Sequence, residues 1–267
     1  MPEEEPVFAN IELAFEPPLA LITLNRPADL NPLDWGTIRE LRAAVAAIEA
    51  RAGVRVVIVT GAGRAFSAGG DMKGYVGLFQ RPDDCRAFLR DFFELCAEIE
   101  SSERIYIAAV NGITVAGGLE LLLACDLVLV AEAARIGDGH LKFAMLPGAG
   151  SSQRLPRAIG RLRAMDLILT ARLIDGVEAE RIGLASRSVP GERLMDEARE
   201  LAAGLAENSP VAIKGAKYLV NEGLKGSLLE GLELEIDYAH RYATEEPDAM
   251  EGLRAFAEKR KPRYGDG

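Results

Sequence analysis

The chain has little of several things, and each shortage excludes a class of function. It holds three cysteines, Cys85, Cys96 and Cys125, in 267 residues. They lack the spacing of a zinc or iron–sulfur motif and lie in apolar stretches, so they read as reduced core thiols and no metal site is expected. It has no surplus of positive charge. The formal net charge is −10, which argues against general nucleic-acid binding, where a basic face is expected. It has no apolar run long enough to span a bilayer, and its acidic start, Met1-Pro2-Glu3-Glu4-Glu5, does not lead into a signal segment. A cytoplasmic protein without a membrane partner is therefore expected. Low-complexity segments and short tandem repeats are also missing. Histidine is scarce, with only His140 and His240.

The stretch Val110-Asn111-Gly112-Ile113-Thr114-Val115-Ala116-Gly117-Gly118-Leu119-Glu120 stands out. A buried strand, Ile105–Val110, leads in, and an apolar helical run leads out. Between them lies a turn of small residues. Glycine there admits a ligand close to the backbone. The first N–H groups of the helix have no partner inside it, and the helix dipole adds positive charge at the same end. An anionic oxygen suits such a place, with Glu120 in the first turn beside it. The same features also serve tight packing and dipole complementation. A proline at 117 would delete one of these N–H groups where proline is otherwise tolerated. A second stretch, Gly61 to Met72, follows another strand, Val54–Thr60, and again ends in small residues, Ala68-Gly69-Gly70-Asp71.

AFSAGGDM (65–72) and VNGITVAGGLE (110–120) together resemble the two oxyanion motifs of the enoyl-CoA hydratase/isomerase (crotonase) superfamily. LITLNRP (21–27), LPGAGSSQRLPRAIG (146–160) and EGLRAFAEKRKPRY (251–264) continue the match in the same order. The resemblance implies an α/β fold, a spiral of ββα units over residues 1–190 with the acyl-CoA site. Residues 191–267 would form a helical region for oligomerisation, making a homotrimer or a hexamer of paired trimers. It further implies an acyl-CoA thioester substrate, no cofactor beyond the CoA moiety, and an enolate stabilised by the N–H groups of Gly70 and Gly117. The simplest activity is hydration of a 2-enoyl-CoA. Alternatives are isomerisation, hydrolytic carbon–carbon cleavage of a β-keto acyl-CoA, or CoA-ester binding without catalysis.

Hydratases of this family use two glutamates. One matches Glu120. The other falls seven residues before the proline of PGAG, and here that position is His140. Imidazole accepts and donates protons near neutral pH, so His140 is a candidate for the second proton-transfer group. Asp138 is a candidate to orient it, to act itself, or to cap a turn. For CoA the resemblance points to the loop at Ser67, Ala68, Asp71, Met72 and Lys73, to Arg26, and to Phe256 and Lys259, the last two often reaching a neighbour's CoA. His240 reads as solvated. Between the motifs, Asp34 is placed to cap a helix running to about Arg51, residues 1–10 look frayed, residues 73–81 read as a mobile loop, and Arg135–Met145 as irregular.

Overall fold

A computed structural model describes residues 6–265; the expectation for the first five residues lies outside it. Strands β1 (Ile11–Glu16) and β2 (Leu19–Leu24) form a hairpin, and α1 (Trp35–Ala50) follows. Asp34 caps α1, accepting from the Thr37 N–H at 2.8 Å, and Ile38, Leu41, Val45 and Ile48 form its buried face. Residues 9 and 10 are not frayed. Both backbone N–H groups donate to the Glu40 carboxylate, at 3.1 and 2.7 Å.

Three successive strand–strand–helix units come next. The first is β3 (Val56–Gly61), β4 (Ala65–Ser67), α2 (Met72–Leu78) and α3 (Pro82–Ser101). The second is β5 (Ile105–Val110), β6 (Ile113–Val115) and α4 (Gly117–Ala124). The third is β7 (Leu127–Ala131), β8 (Arg135–Gly137) and α5 (Ser151–Ile159). The first strand of each unit joins a large sheet of order β1-β2-β3-β5-β7-β9, parallel except for the β1–β2 pair. The second strand of each joins a small parallel sheet, β4-β6-β8. Strands β3 and β5 are buried along their whole length, which is why they read as continuous apolar runs.

Helices α6 (Arg161–Thr170) and α7 (Gly176–Arg181) lead to strand β9 (Arg187–Val189). Then come α8 (Leu194–Ala206), α9 (Pro210–Gly223), α10 (Leu228–Glu245) and α11 (Pro247–Glu258). Leu194, Ala198 and Ala202 of α8 are buried in the main core, so the first helix of the C-terminal region shares that core. Helix α9 is tied down by Lys217. Its ammonium donates to the carbonyls of Ile99 and Arg104 and to Asp126, each at 2.8–2.9 Å. Among the described residues no helix is long and apolar enough to cross a membrane, and no acidic, histidine and cysteine cluster could hold a metal ion.

Two further expectations are corrected. Most of the segment expected to be a mobile loop is helix α2, capped by Asp71, which accepts from the Lys73 N–H at 3.0 Å. The segment expected to be irregular contains β8 and a turn of tight helix, His140–Phe143.

Candidate active site

The small sheet delivers the site. Its strands are parallel, regular between β6 and β8 and with one irregularity between Ala65 and Ser67 where β4 meets β6, and their C-terminal ends lie side by side. Ligands favour that edge of parallel strands. The residues after β4 include Gly70, those after β6 include Gly117 and Glu120, and those after β8 include Asp138 and His140.

The first two loops touch. A Cβ on Gly69, whose φ is +88°, would meet the Ala116 Cβ and the Val115 carbonyl oxygen at 2.9 Å, and the Gly117 nitrogen at 3.3 Å. Glycine is required there by both conformation and space. The Gly69 loop is braced from the other side. Its carbonyl accepts from the Leu33 N–H at 2.8 Å, and the buried Asn31 amide donates to the carbonyls of Ala62 and Ala65 at 3.0 and 2.8 Å. Ala116 has φ 50° and ψ −117°, a conformation costly for any residue with a Cβ. Its N–H donates to the Asp138 carbonyl at 2.8 Å, which holds the turn in that state. Helix α4 thus opens without a side-chain cap. Among the described residues the N–H groups of Gly70 and Gly117 donate to no backbone acceptor. Both residues line a cavity of about 990 Å³.

Glu120 is 2 % exposed. Its Oε1 accepts from the N–H groups of Ala149 and Ser151, at 2.8 and 3.1 Å. Oε2 lies 3.9 Å from His140 Nε2. Asp138 is fully buried, and its Oδ1 meets His140 Nδ1 at 3.1 Å while Oδ2 accepts from the Ser151 hydroxyl at 2.5 Å. An ionised Asp138 places the ring proton on Nδ1 and directs Nε2 toward Glu120 and the cavity.

Burial raises the Glu120 carboxyl above its ordinary range, against the Ser151 and Ala149 N–H groups and the charge of His140. Burial pulls the His140 imidazole down, but the Asp138 hydrogen bond and the charges of Asp138 and Glu120 outweigh it, and the net shift is upward. Burial works the other way on Asp138, and the hydrogen bonds from His140 and Ser151 win, holding it below the usual carboxylate range. The site therefore pairs a carboxylate that takes protons more readily than usual with an imidazole that keeps them longer than usual. Such a pair suits proton transfer near neutral pH.

Of the residues expected at the CoA site, Arg26, Ala68, Asp71, Met72 and Lys73 line the cavity. Arg26 is already engaged, forming ion pairs with Asp34 and, at 3.4 Å, with Asp29. Ser67 is buried and accepts from the Gly69 N–H at 3.1 Å, so its side chain shapes the loop. Phe256 and Lys259 are not in the cavity wall, and Phe256 is 86 % exposed. His240 lies on the exposed α10. Sequence reasoning missed Ser151, the Ala149 N–H, Lys142 and Tyr75. Lys142 and Tyr75 line the cavity. The Gly-Ala-Gly-Ser start of α5 held a signal for the first two, since a helix N-terminus offers free N–H groups to a carboxylate.

Residues 15–267 match the enoyl-CoA hydratase/isomerase family. A probable enoyl-CoA hydratase of Mycobacterium tuberculosis is 41% identical over 92% of this chain and 94% of its own length. The mitochondrial enoyl-CoA hydratase of Pongo abelii is 37% identical over 93% and 84%. The crystal structure of an enoyl-CoA hydratase from Bacillus anthracis, 38% identical, superposes with a TM-score of 0.91 over 97% of this chain and 100% of that one. Motifs, fold and relatives agree: the chain belongs to the enoyl-CoA hydratase/isomerase family.

Proposed function

We propose that the chain hydrates a 2-enoyl-CoA to the 3-hydroxyacyl-CoA. The observation that carries this reading is Glu120, which lines one cavity with two N–H groups that have no partner among the described residues, with one oxygen held by backbone and the other turned toward His140. The N–H groups of Gly70 and Gly117 polarise the thioester carbonyl. Water held by Glu120 and His140 attacks C3, Glu120 takes its proton, and the protonated His140 gives a proton to C2 of the enolate; transfer of the proton from Glu120 to His140 restores the starting state. The hydroxyl goes to C3, the hydrogen to C2, and no redox partner is needed. Stabilising charge as it develops is usually the largest contribution, about 3–4 kcal/mol for one donor.

CoA supplies the handle, with no further cofactor. Lys73 and Lys142 at the cavity mouth carry exposed cations suited to its phosphates, and Ala68, Asp71 and Met72 suit its adenine end. Phe256 and Lys259 act on a neighbour's CoA in a homotrimer or hexamer. That assembly is supported by the exposed apolar residues of α10 and α11. The protein works in the cytoplasm.

The His140–Asp138 pair in place of a second glutamate favours one other reading, isomerisation or hydrolytic cleavage of a cyclic β-keto acyl-CoA. Incubation with a panel of acyl-CoAs, read by mass and absorbance, separates these. Hydration adds one water to a 2-enoyl-CoA and removes its conjugated absorbance. Isomerisation moves the double bond at constant mass, and cleavage opens a β-keto ring with gain of water. Binding without any change of mass or absorbance across the panel would overturn catalysis.

A further inference from the structure

Tyr75 sits one turn into α2, its N–H donating to the Asp71 carbonyl at 2.9 Å. Its ring stacks on Phe79, with centroids 5.3 Å apart and planes 15° apart, and meets Phe88 edge-on at 5.6 Å. Those contacts fix where the hydroxyl end lies. A Cβ on Gly70 would fall 1.9 Å from Tyr75 Oη and 2.2 Å from Cζ. The phenol therefore fills the volume that any side chain at 70 would need. Gly70 is not among the residues with positive φ, so the missing side chain answers to Tyr75 and not to a strained backbone. Oη rests in van der Waals contact with the Gly70 Cα, one bond from the N–H that serves the carbonyl oxygen.

Tyr75 lines the cavity together with Gly70, and its hydroxyl has no hydrogen-bond partner among the described residues. Burial, then the negative charges of Glu120 and Asp71, pushes its ionisation far above the ordinary phenol range. It stays a neutral O–H donor wherever Glu120 works as a base. A donor of this kind gains most from an acceptor that becomes negative during reaction.

We propose that Tyr75 Oη donates a third hydrogen bond to the substrate's thioester carbonyl oxygen, beside the N–H groups of Gly70 and Gly117, and that position 70 is glycine to admit it. The proposal rests on the oxyanion-hole reading above. Tyr75→Phe keeps the ring and its packing and removes only the donor. With crotonyl-CoA the variant should lose roughly tenfold or more in kcat while KM stays within about twofold, as expected for a bond to a charged acceptor made mainly in the transition state. Acetoacetyl-CoA, which enolises when bound, should show a weaker enolate absorbance on the variant, while saturated butyryl-CoA should bind both proteins alike.

Unchanged kcat and enolate absorbance would overturn the proposal. So would a rise in KM at constant kcat, since that marks a ground-state or space-filling contact. If the unaltered protein fails to hydrate crotonyl-CoA yet binds acetoacetyl-CoA as enolate, the hydratase reading falls and Tyr75 is still judged by the enolate band. If it neither hydrates nor enolises, the oxyanion hole and the third donor fall together.

Discussion

Helices α4 and α10 invert each other. In α4, seven of eight residues are buried, and the helix begins at a strained Ala116 with no side-chain cap. In α10, none of the eighteen residues is buried, and the helix begins with a full capping box between Ser227 and Glu230. Each end left open marks a use. Helix α4 has a saturated flank and an unsaturated N-terminus, so its spare capacity points at a small ligand. Helix α10 has a saturated N-terminus and an unsaturated flank, where Leu229, Leu232 and Ile236 are 67%, 46% and 62% exposed at one-face spacing. Its spare capacity suits another surface. In this pair the stronger local helix signal belongs to the helix that the chain's own packing supports less.

Glu120→Gln tests the α4 half hardest. It keeps the side chain's shape and removes the base, so turnover should fall by roughly a hundredfold to ten-thousandfold while acyl-CoA binding persists. A variant that turns over normally would detach α4 from the chemistry. Next, Leu122→Ala, a fully buried position on the same helix, should destabilise the fold by about 2–5 kcal/mol in urea titration. A loss as small as that of an exposed site would mean that α4 is not the packed element described.

His140 sharpens the account through pH. Glu120 must be ionised to act as base, so the rate falls as pH drops through its raised pKa. His140 must hold its proton to act as acid, so the rate falls as pH climbs through its own raised pKa. Both limbs of the rate profile should thus lie above the ordinary carboxylate and imidazole values. His140→Ala should lose roughly tenfold to a hundredfold in kcat and abolish the alkaline limb. An unchanged profile would leave Glu120 working alone.

The smallest effect on the chain's own fold belongs to α10. Leu232→Lys with Ile236→Lys should leave the far-ultraviolet circular dichroism unchanged, because neither side chain is buried. Light scattering should register the change instead, with the mass falling from an assembly toward a single chain. An assembly mass unaffected by both lysines, or a single-chain mass before any substitution, would remove α10 from that role.

The long elements were legible in the sequence because their signals are local and repeated. Helix α1 announced itself by its Asp34 cap and spaced apolar residues, and β3 and β5 by unbroken apolar runs. The strands of the small sheet were not separately legible. At three residues each, they are too short for any alternation to register, and they exist through their pairing with one another. Helix α2 is not legible as a helix because Gly74 and Gly77 mask its pattern. Glu120, Gly117, Gly70 and His140 were legible through motif resemblance. Their partners Ser151 and Tyr75 were not, because an isolated hydroxyl gains its meaning only from what the fold sets against it. The idea that proline is tolerated at 117 also fails. The residue before a proline is confined to extended backbone, and Ala116 has φ 50° and ψ −117°.

The three parallel strands β4, β6 and β8 divide labour as interchangeable parts would. Under the proposed mechanism the loops after β4 and β6 polarise the thioester and carry one base. By the same mechanism the loop after β8 carries the other proton-handling group, and it meets them at the Ala116 turn and at Glu120. A change confined to that third loop can redirect the proton without disturbing how the thioester is gripped. In this chain the third loop holds a histidine backed by an aspartate, which accepts from Ser151 at the start of α5, so a search for new reactivity by mutation is best begun at positions 138, 140 and 151.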